Sequence, residues 1–510
     1  GYTLNRVTLF ALIFITGIVV DDSIIIVENI TRHLAMRSAS RSRPTILAAV
    51  AEVGNPTVLA TLTVIASVFP MAYVGGLMGP YMRPMPIGAS LAMTFSLLVA
   101  LTIAPWLSKR LLRAKPGHEG ETASPRVRRL YDRLLGPLLD RPKKGMIVLG
   151  GIAGLTAASL LLLPLRVVTV KMLPFDNKSE MQVLVDLPES TPLETTAGAA
   201  RDVADALAAV PEVTGIQIYT GLAGPITFNG LVRHYDYRRG PQFADVHVNL
   251  AGKSERKRKS HELASVLRER AFPAASRHGA SIKVVELPPG PPVLSTLVAE
   301  VYGPDQRARM ELAGRVKHIL ETTPGVVDVD WMIEDAQVQW TLGVNQTEAA
   351  LAGVAPAALG QNVALALSGL PVGTLHPRDA FEEVPLVVRW PREEREDLFT
   401  VSDLRLPTAT GSLLPASAVM HPVQGAIETS LMRKNGRPVV YVTGELSGRQ
   451  ESPVYAILDM KRRIGELTGA HGEPVAQLFA SEPRTQESYA VRWDGEWDIT
   501  RHVFRDLGMA

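Results

Sequence analysis

Residues 17–29 read GIVVDDSIIIVEN, with two carboxylates, Asp21 and Asp22, side by side in one of the most aliphatic runs of the chain. The run 7–27 is long enough to cross a bilayer as a helix, which takes about 20 residues. An aspartate near the centre of such a helix costs about 2.5–3.5 kcal/mol, so the pair costs roughly 5–7 kcal/mol. Each Val, Leu, Ile or Phe returns about 0.3–0.6 kcal/mol, which offsets most of that and little more. The helix inserts only marginally, and its acidic face needs partners or water. Successive side chains point about 100° apart, so the two carboxylates reach different neighbours and at least one faces the interior of a helix bundle. Acids this close titrate as a coupled unit. Ionisable groups inside membranes mark proton and ion paths, so Asp21 and Asp22 are read as a proton relay. The competing reading is a pair locked permanently in salt bridges.

Outward from that stretch, the chain of 510 residues divides in composition. Overall it is 46% hydrophobic and 20% charged, with a mean hydropathy of +0.12. Long apolar runs dominate residues 1–165, while residues 166–510 read like a soluble protein. A net charge of +2 gives no case for nucleic-acid binding, and the absence of cysteine removes disulfides and thiolate chemistry. Besides the run at 7–27, segments 58–74, 87–107 and 146–165 meet the length rule for spanning a bilayer, giving four expected spans. No Lys, Arg or His lies in the middle of the last three, so they offer the aspartates no cationic partner.

Lys and Arg placement sets the orientation. Arg32, Arg37, Arg41 and Arg43 lie between the first two spans, and a dense basic run from Lys109 to Lys144 lies between the third and fourth. The loop between the second and third carries only Arg83. Basic loops face the cytoplasm, so residues 35–50 and 109–144 are expected there and residues 170–493 outside. Glu28, seven residues after Asp21, then lies toward the cytoplasmic end of the first helix.

The exterior part alternates strand-like and helix-like segments. MQVLVDL leads to a helical run at 193–210 and then VTGIQIY; ADVHVNL leads to a helix near 260–275 and SIKVVEL. LVAEVYG, a helix at 305–322 and GVVDVDWM follow, then PVVYVTGEL, a helix at 453–467 and PVAQLFA. This is β-α-β repeated, and AAVPEVTGIQI and ETTPGVVDVDW close their helices with the same Pro-x-Val punctuation. Such units suggest ferredoxin-like α/β subdomains. The expected fold class is a membrane α-helical bundle with an α+β exterior region of this kind. Its parts are a helix with the Asp pair (1–34), a loop (35–56), a transmembrane hairpin (57–108), a basic loop (109–144) and a transmembrane helix (145–165). A first exterior subdomain (166–292) and a second in two pieces (293–344 and 433–493) follow, interrupted by an inserted module (345–432). Residues 494–510 begin an amphipathic or further membrane helix.

The stretch GYTLNRVTLFALIFITGIVVDDSIIIVENITRHL resembles the fourth transmembrane helix of the resistance-nodulation-division (RND) efflux permeases, in the branch that handles hydrophobic and amphiphilic compounds. The resemblance continues through GNPTVLATLTVIASVFPMAYVGGLMG and the exterior region, covering nearly the whole chain. It implies proton-driven antiport of small amphiphilic substrates across the bacterial inner membrane, with Asp21 and Asp22 taking up protons from the periplasmic side. The energy source is then the proton gradient, with no cofactor, no metal and no enzymatic activity. It further implies a homotrimer that meets a periplasmic adaptor and an outer-membrane channel through the inserted module. The heavy-metal branch usually carries a VDA-like pattern here, so Asp22 argues for the other branch. Family members have twelve spans, so the chain is expected to run from just before the fourth to just before the eighth. Its opening Gly and its end within a helix fit a segment of a longer protein. The basic partners of the aspartates then belong to later spans, and the segment alone is not expected to transport.

By the same resemblance, the aromatics Phe228, Tyr235 and Tyr237, with Tyr219 and Phe243 nearby, occupy the place of a substrate-contacting loop. Ordinary packing beneath a loop explains them as well. The histidines lack metal-ligand spacing, and no GxxxxGK[ST] motif supports ATP as energy source. An intramembrane aspartyl protease needs its two acids on separate helices, and no second span here contains one. A non-transporting, membrane-anchored fragment or scaffold is the remaining alternative.

Overall fold

The structure is a computed structural model that describes residues 6–36, 43–112, 142–162, 165–168, 176–286, 293–395, 398–448 and 451–509, with isolated positions between 129 and 135. Two compact units emerge: residues 1–332 with 431–510, and Ile333–Ser430.

Among the described residues, the first unit opens with four long helices: α1 (Arg6–Met36), α2 (Arg43–Val68), α3 (Pro84–Leu111) and α4 (Pro142–Leu161). The segments Arg43–Tyr73, Gly76–Leu111 and Pro142–Leu161 are long and apolar enough to cross a membrane. Helix α1 packs against both α2 and α3. At one end Ile26, Ile30 and Leu34 meet Ile46, Ala49 and Ala100; at the other Ala11 and Ile15 meet Ala89 and Met93. None of the residues of α4 is buried. The expected loop at 35–56 needs correcting, because α2 is already helical from Arg43 and carries Pro56 inside it. Neighbouring helices compensate for a proline in such a setting, and Ala49, Gly54 and Thr57 are buried around it. Most of the expected basic loop at 109–144 lies outside the described residues.

The first soluble subdomain runs β1 (Glu180–Asp186), α5 (Leu193–Ala208), β2 (Val213–Leu222), a short helix α6 (Phe228–Arg233), β3 (Arg239–Leu250), α7 (Ser260–Ser276) and β4 (Ser281–Val285). Its sheet has the order β2-β3-β1-β4, and every neighbouring pair is antiparallel. Alternation along β1 sends Met181, Val183 and Val185 into a core with Leu207, Val246, Val248, Leu263 and Leu267, beneath α5 and α7.

The second subdomain repeats the plan with β5 (Leu297–Tyr302), α8 (Gln306–Glu321), β6 (Val326–Trp331), β7 (Val440–Leu446), α9 (Pro453–Gly465), β8 (Ala476–Leu478), β9 (Ala490–Gly495) and α10 (Glu496–Met509). Its order is β8-β9-β5-β7-β6, antiparallel except for β8 beside β9. The shared punctuation closes an i to i+3 hydrogen bond in each subdomain. Val213 N–H donates to Val210 O at 3.0 Å and Val326 N–H to Thr323 O at 3.2 Å, each across a proline. One strand assignment changes: PVAQLFA supplies only the edge strand β8, and the core position falls to AVRWDG in β9. That pattern is disguised by Arg492 and Asp494, whose charges are satisfied within the fold.

The second unit is Ile333–Ser430, wider at its start than the expected 345–432. Strand Val338–Val344 pairs antiparallel with Met420–Ala426, which draws it into this unit. Ala349, Leu359, Val401, Leu406 and Val419 form its core, and a hairpin joins Leu370–Leu375 to Val384–Val388.

Candidate functional site

The adjacent aspartates leave α1 in different directions. Asp22 is half-buried against α2, where Thr61 Oγ1 donates to its Oδ1 at 3.1 Å. Thr61, itself only 2% exposed, also lies 2.9 Å from Thr57 O, so its single hydroxyl proton is shared between the two acceptors. From α3, Ser96 Oγ donates to Val19 O at 2.5 Å, tying the third helix to the same part of α1. Asp21 is exposed. The three-helix packing therefore holds one carboxylate and leaves its neighbour open, as the 100° step along a helix requires.

A second polar cluster sits near the C-terminal end of α1. Glu52 of α2 accepts from Arg32 Nη2 at 3.1 Å, meets His33 Nε2 at 2.5 Å and lies 3.4 Å from Asn29 Nδ2. The buried Asn29 also donates to Ala49 O at 2.8 Å. Glu28 is exposed.

In the soluble part the predicted aromatics are not gathered into one pocket. Thr227 caps α6 by accepting from Gly230 N–H at 3.0 Å, and His234 follows in the left-handed region at φ 62°. Phe228 is 51% and Tyr237 72% exposed. Tyr235 instead lines a cavity of about 40 Å³ with Arg233, Lys283, Asp328 and Glu445.

That cavity belongs to a charged seam where the two sheets meet, β4 beside β6. Val284 N–H donates to Asp328 Oδ2 at 3.1 Å, and Arg268 grips Asp328 at 2.7 and 2.8 Å. Arg233 reaches Glu445 at 2.6 Å. Burial alone would raise the Glu445 pKa, but Arg233 and the Ser295 and Thr296 hydroxyls outweigh it and hold the carboxylate below its ordinary range. Beside the seam opens a cleft of about 570 Å³, lined by His234, Met332, Lys434, Tyr441, Asp494 and Ile499 among others. Behind it Glu300, with no exposed surface, accepts from Arg492 at 2.9 and 3.0 Å and from Tyr302 Oη at 2.8 Å. Lys434 bridges Glu300 and Asp494. Burial pushes Glu300 above the usual carboxylate range despite these partners. Sequence reasoning missed this network; its trace was a single acid inside the apolar strand LVAEVYG.

The sequence profile of the AcrB/AcrD/AcrF family matches residues 1–464. The chain belongs to this family. Among relatives, it is 29% identical over 227 residues to Multidrug resistance protein MdtC of Pantoea ananatis (strain AJ13355), covering 43% of this chain and 22% of that one. It is 22% identical over 471 residues to Swarming motility protein SwrC of Bacillus subtilis (strain 168), covering 90% of this chain and 42% of the other. Among solved structures, a heavy metal efflux pump superposes with a TM-score of 0.72 at 20% identity, covering 99% of this chain and 47% of that one. The chain thus spans less than half the length of these relatives. The fold is that of the RND permeases, and the Asp pair lies in the matched region.

Proposed function

We propose that the protein is a proton/substrate antiporter that exports hydrophobic or amphiphilic small molecules across the bacterial inner membrane. In this reading α1 to α4 are four membrane spans, the basic loops are cytoplasmic, and residues beyond the fourth span are periplasmic. The two order-repeated sheets are ferredoxin-like porter subdomains. Phe228, Tyr235 and Tyr237 belong to a substrate-contacting loop between β2 and β3. The working assembly is a homotrimer that meets an adaptor and an outer-membrane channel through the module at 333–430.

The observation that carries the reading is the Asp21–Asp22 pair on a helix packed against two others, in a chain of this family. A carboxylate held by one hydroxyl, beside an open carboxylate, can take and release a proton without dismantling a salt bridge. The multidrug name of the MdtC relatives supports the amphiphile branch, whereas the likeness to the metal pump reaches the fold alone.

The test is export by the full-length protein in cells, together with the amount of folded protein in the membrane. Asp21→Asn and Asp22→Asn should each abolish export while folded protein persists, since Asn keeps the size and hydrogen bonding but carries no proton. Normal export from either variant would end the relay reading. Loss of folded protein would favour permanent salt bridges, because a cation left unpaired in the bundle costs about 3–5 kcal/mol.

A further inference from the structure

Helix α10 follows β9 directly and packs against the turn that joins α2 to α3. Ile499 and Val503 share a small core with Val74 and Met78 of that turn and with Val293. Asp506 Oδ2 accepts from Gly75 N–H at 2.9 Å, and Asp506 Oδ1 holds Arg505 Nε at 2.9 Å and Nη2 at 2.8 Å. Between the end of α2 and the last turns of α10 runs an open groove of about 760 Å³. Ala66, Phe69 and Pro70 supply its apolar lining, and all three belong to the segment Arg43–Tyr73, which is long and apolar enough to cross a membrane. Arg505 and Asp506 are its charged members. Tyr73, 73% exposed, shares the groove and meets Phe69 edge to face at 5.7 Å. A tyrosine at the end of a span marks the headgroup level of a bilayer. Arg505 and Asp506 therefore sit at that level, and Ala66 lies deeper. Phe504 and Leu507 of α10 are exposed as well, which suits a helix that meets a bilayer surface.

We propose that this groove seats a membrane phospholipid with a phosphoethanolamine headgroup. Arg505 donates to the phosphate, Asp506 accepts from the ammonium, and one acyl chain lies along Ala66, Phe69 and Pro70. The donor arithmetic allows it. A guanidinium has five N–H donors and a carboxylate about four acceptor positions. The contacts with Asp506 engage only Nε and Nη2 of Arg505, and Oδ2 of Asp506 accepts one hydrogen bond, from Gly75. The pair is also neutral as a whole, which matches a headgroup carrying both charges. An anionic headgroup gains the Arg505 contact but meets the like charge of Asp506. The seat rests on the reading of α2 and α3 as membrane spans.

Lipid photolabelling tests the seat. The full-length protein is reconstituted in vesicles of phosphatidylethanolamine and phosphatidylglycerol with a trace of phosphatidylethanolamine that bears a diazirine on its acyl chain. After illumination, labelled peptides are measured by mass spectrometry. Helix α4, none of whose residues is buried, reports contact with bulk lipid. In the wild type, residues 66–73 should be labelled well above the α4 level. Arg505→Gln should lower that ratio by about tenfold, the loss expected for one charge-assisted hydrogen bond, with folded protein unchanged. Ala66→Trp, which fills the groove from α2, should lower it too. A phosphatidylglycerol probe of the same design should label residues 66–73 only at the α4 level. A ratio unmoved by both substitutions would reveal bulk lipid only and overturn the seat. Labelling of α4 without the groove would mean that a second copy or another segment of the full-length chain fills it, which overturns the seat equally. Equal labelling by the two probes would overturn the headgroup assignment. Labelling of neither α4 nor the groove would sink the reading of these helices as spans, and the seat with it.

Discussion

Thr61 donates to Asp22 across the α1–α2 contact at 3.1 Å, while the adjacent Asp21 faces away from that contact. One hydroxyl thus distinguishes two chemically identical acids. Replacing Thr61 by Val keeps the shape and removes the donor. A hydrogen bond to a charged group contributes about 1.5–3 kcal/mol, so Thr61→Val should slow proton-coupled export by roughly tenfold or more with little change in folded protein. Thr61→Ser should restore it. Export by Thr61→Val at the wild-type rate would show that Asp22 works without this contact.

The orientation is testable in the same protein. Reporter fusions at Arg41 and Lys253 should report opposite sides of the membrane, the first cytoplasmic and the second periplasmic. Matching signals at both positions would overturn the assignment drawn from the basic loops.

Much of this architecture was legible in local pattern. Helices expected at 193–210, 260–275, 305–322 and 453–467 appear as Leu193–Ala208, Ser260–Ser276, Gln306–Glu321 and Pro453–Gly465. Apolar period and turn chemistry mark such elements directly, and the paired Pro turns at Pro211 and Pro324 disclosed the internal repeat. The second of these has Gly325 at φ 83°, which suits the third position of a type II turn. What stayed hidden depends on distant partners. Arg492 breaks the strand pattern of β9 unless Glu300, 192 positions earlier, is known to face it. Glu52 and His33 likewise acquire meaning only once α1 and α2 are packed together. The aromatic loop showed the opposite limit: its sequence does not tell that Tyr235 lines a cavity while Phe228 and Tyr237 are exposed.

The Glu300 network should be costly to break from one side. Arg492→Met leaves a fully buried carboxylate with Lys434 and Tyr302 as its remaining partners, and should destabilise the second subdomain by about 3 kcal/mol. Combining it with Glu300→Met, which removes the orphaned charge, should recover much of that loss. Thermal unfolding of the purified full-length protein measures both. A single variant as stable as wild type would mean that Lys434 alone suffices for Glu300.

His261 joins the two subdomains from the outside and carries a pH dependence. Its Nδ1 lies 2.9 Å from Glu286, its Nε2 meets Glu451 on the segment before α9, and Ser265 and Ser447 meet nearby at 3.0 Å. Hydrogen bonds first to Glu286 and then to Glu451, outweighing partial burial, raise its pKa from 6.5 to about 9. A histidine whose folded pKa lies above its unfolded value stabilises the fold fully below the unfolded value, and that contribution disappears as pH rises through the folded one. The bridge should therefore be intact at pH 6, weaken through the range from 6.5 to about 9, and be absent above it. Replacing His261 by Gln keeps a polar side chain but no titration. Thermal unfolding across this range should show wild type more stable than His261→Gln at pH 6, with the two converging above about 9. Parallel curves for the two proteins would show that the imidazolium does not hold the subdomains together.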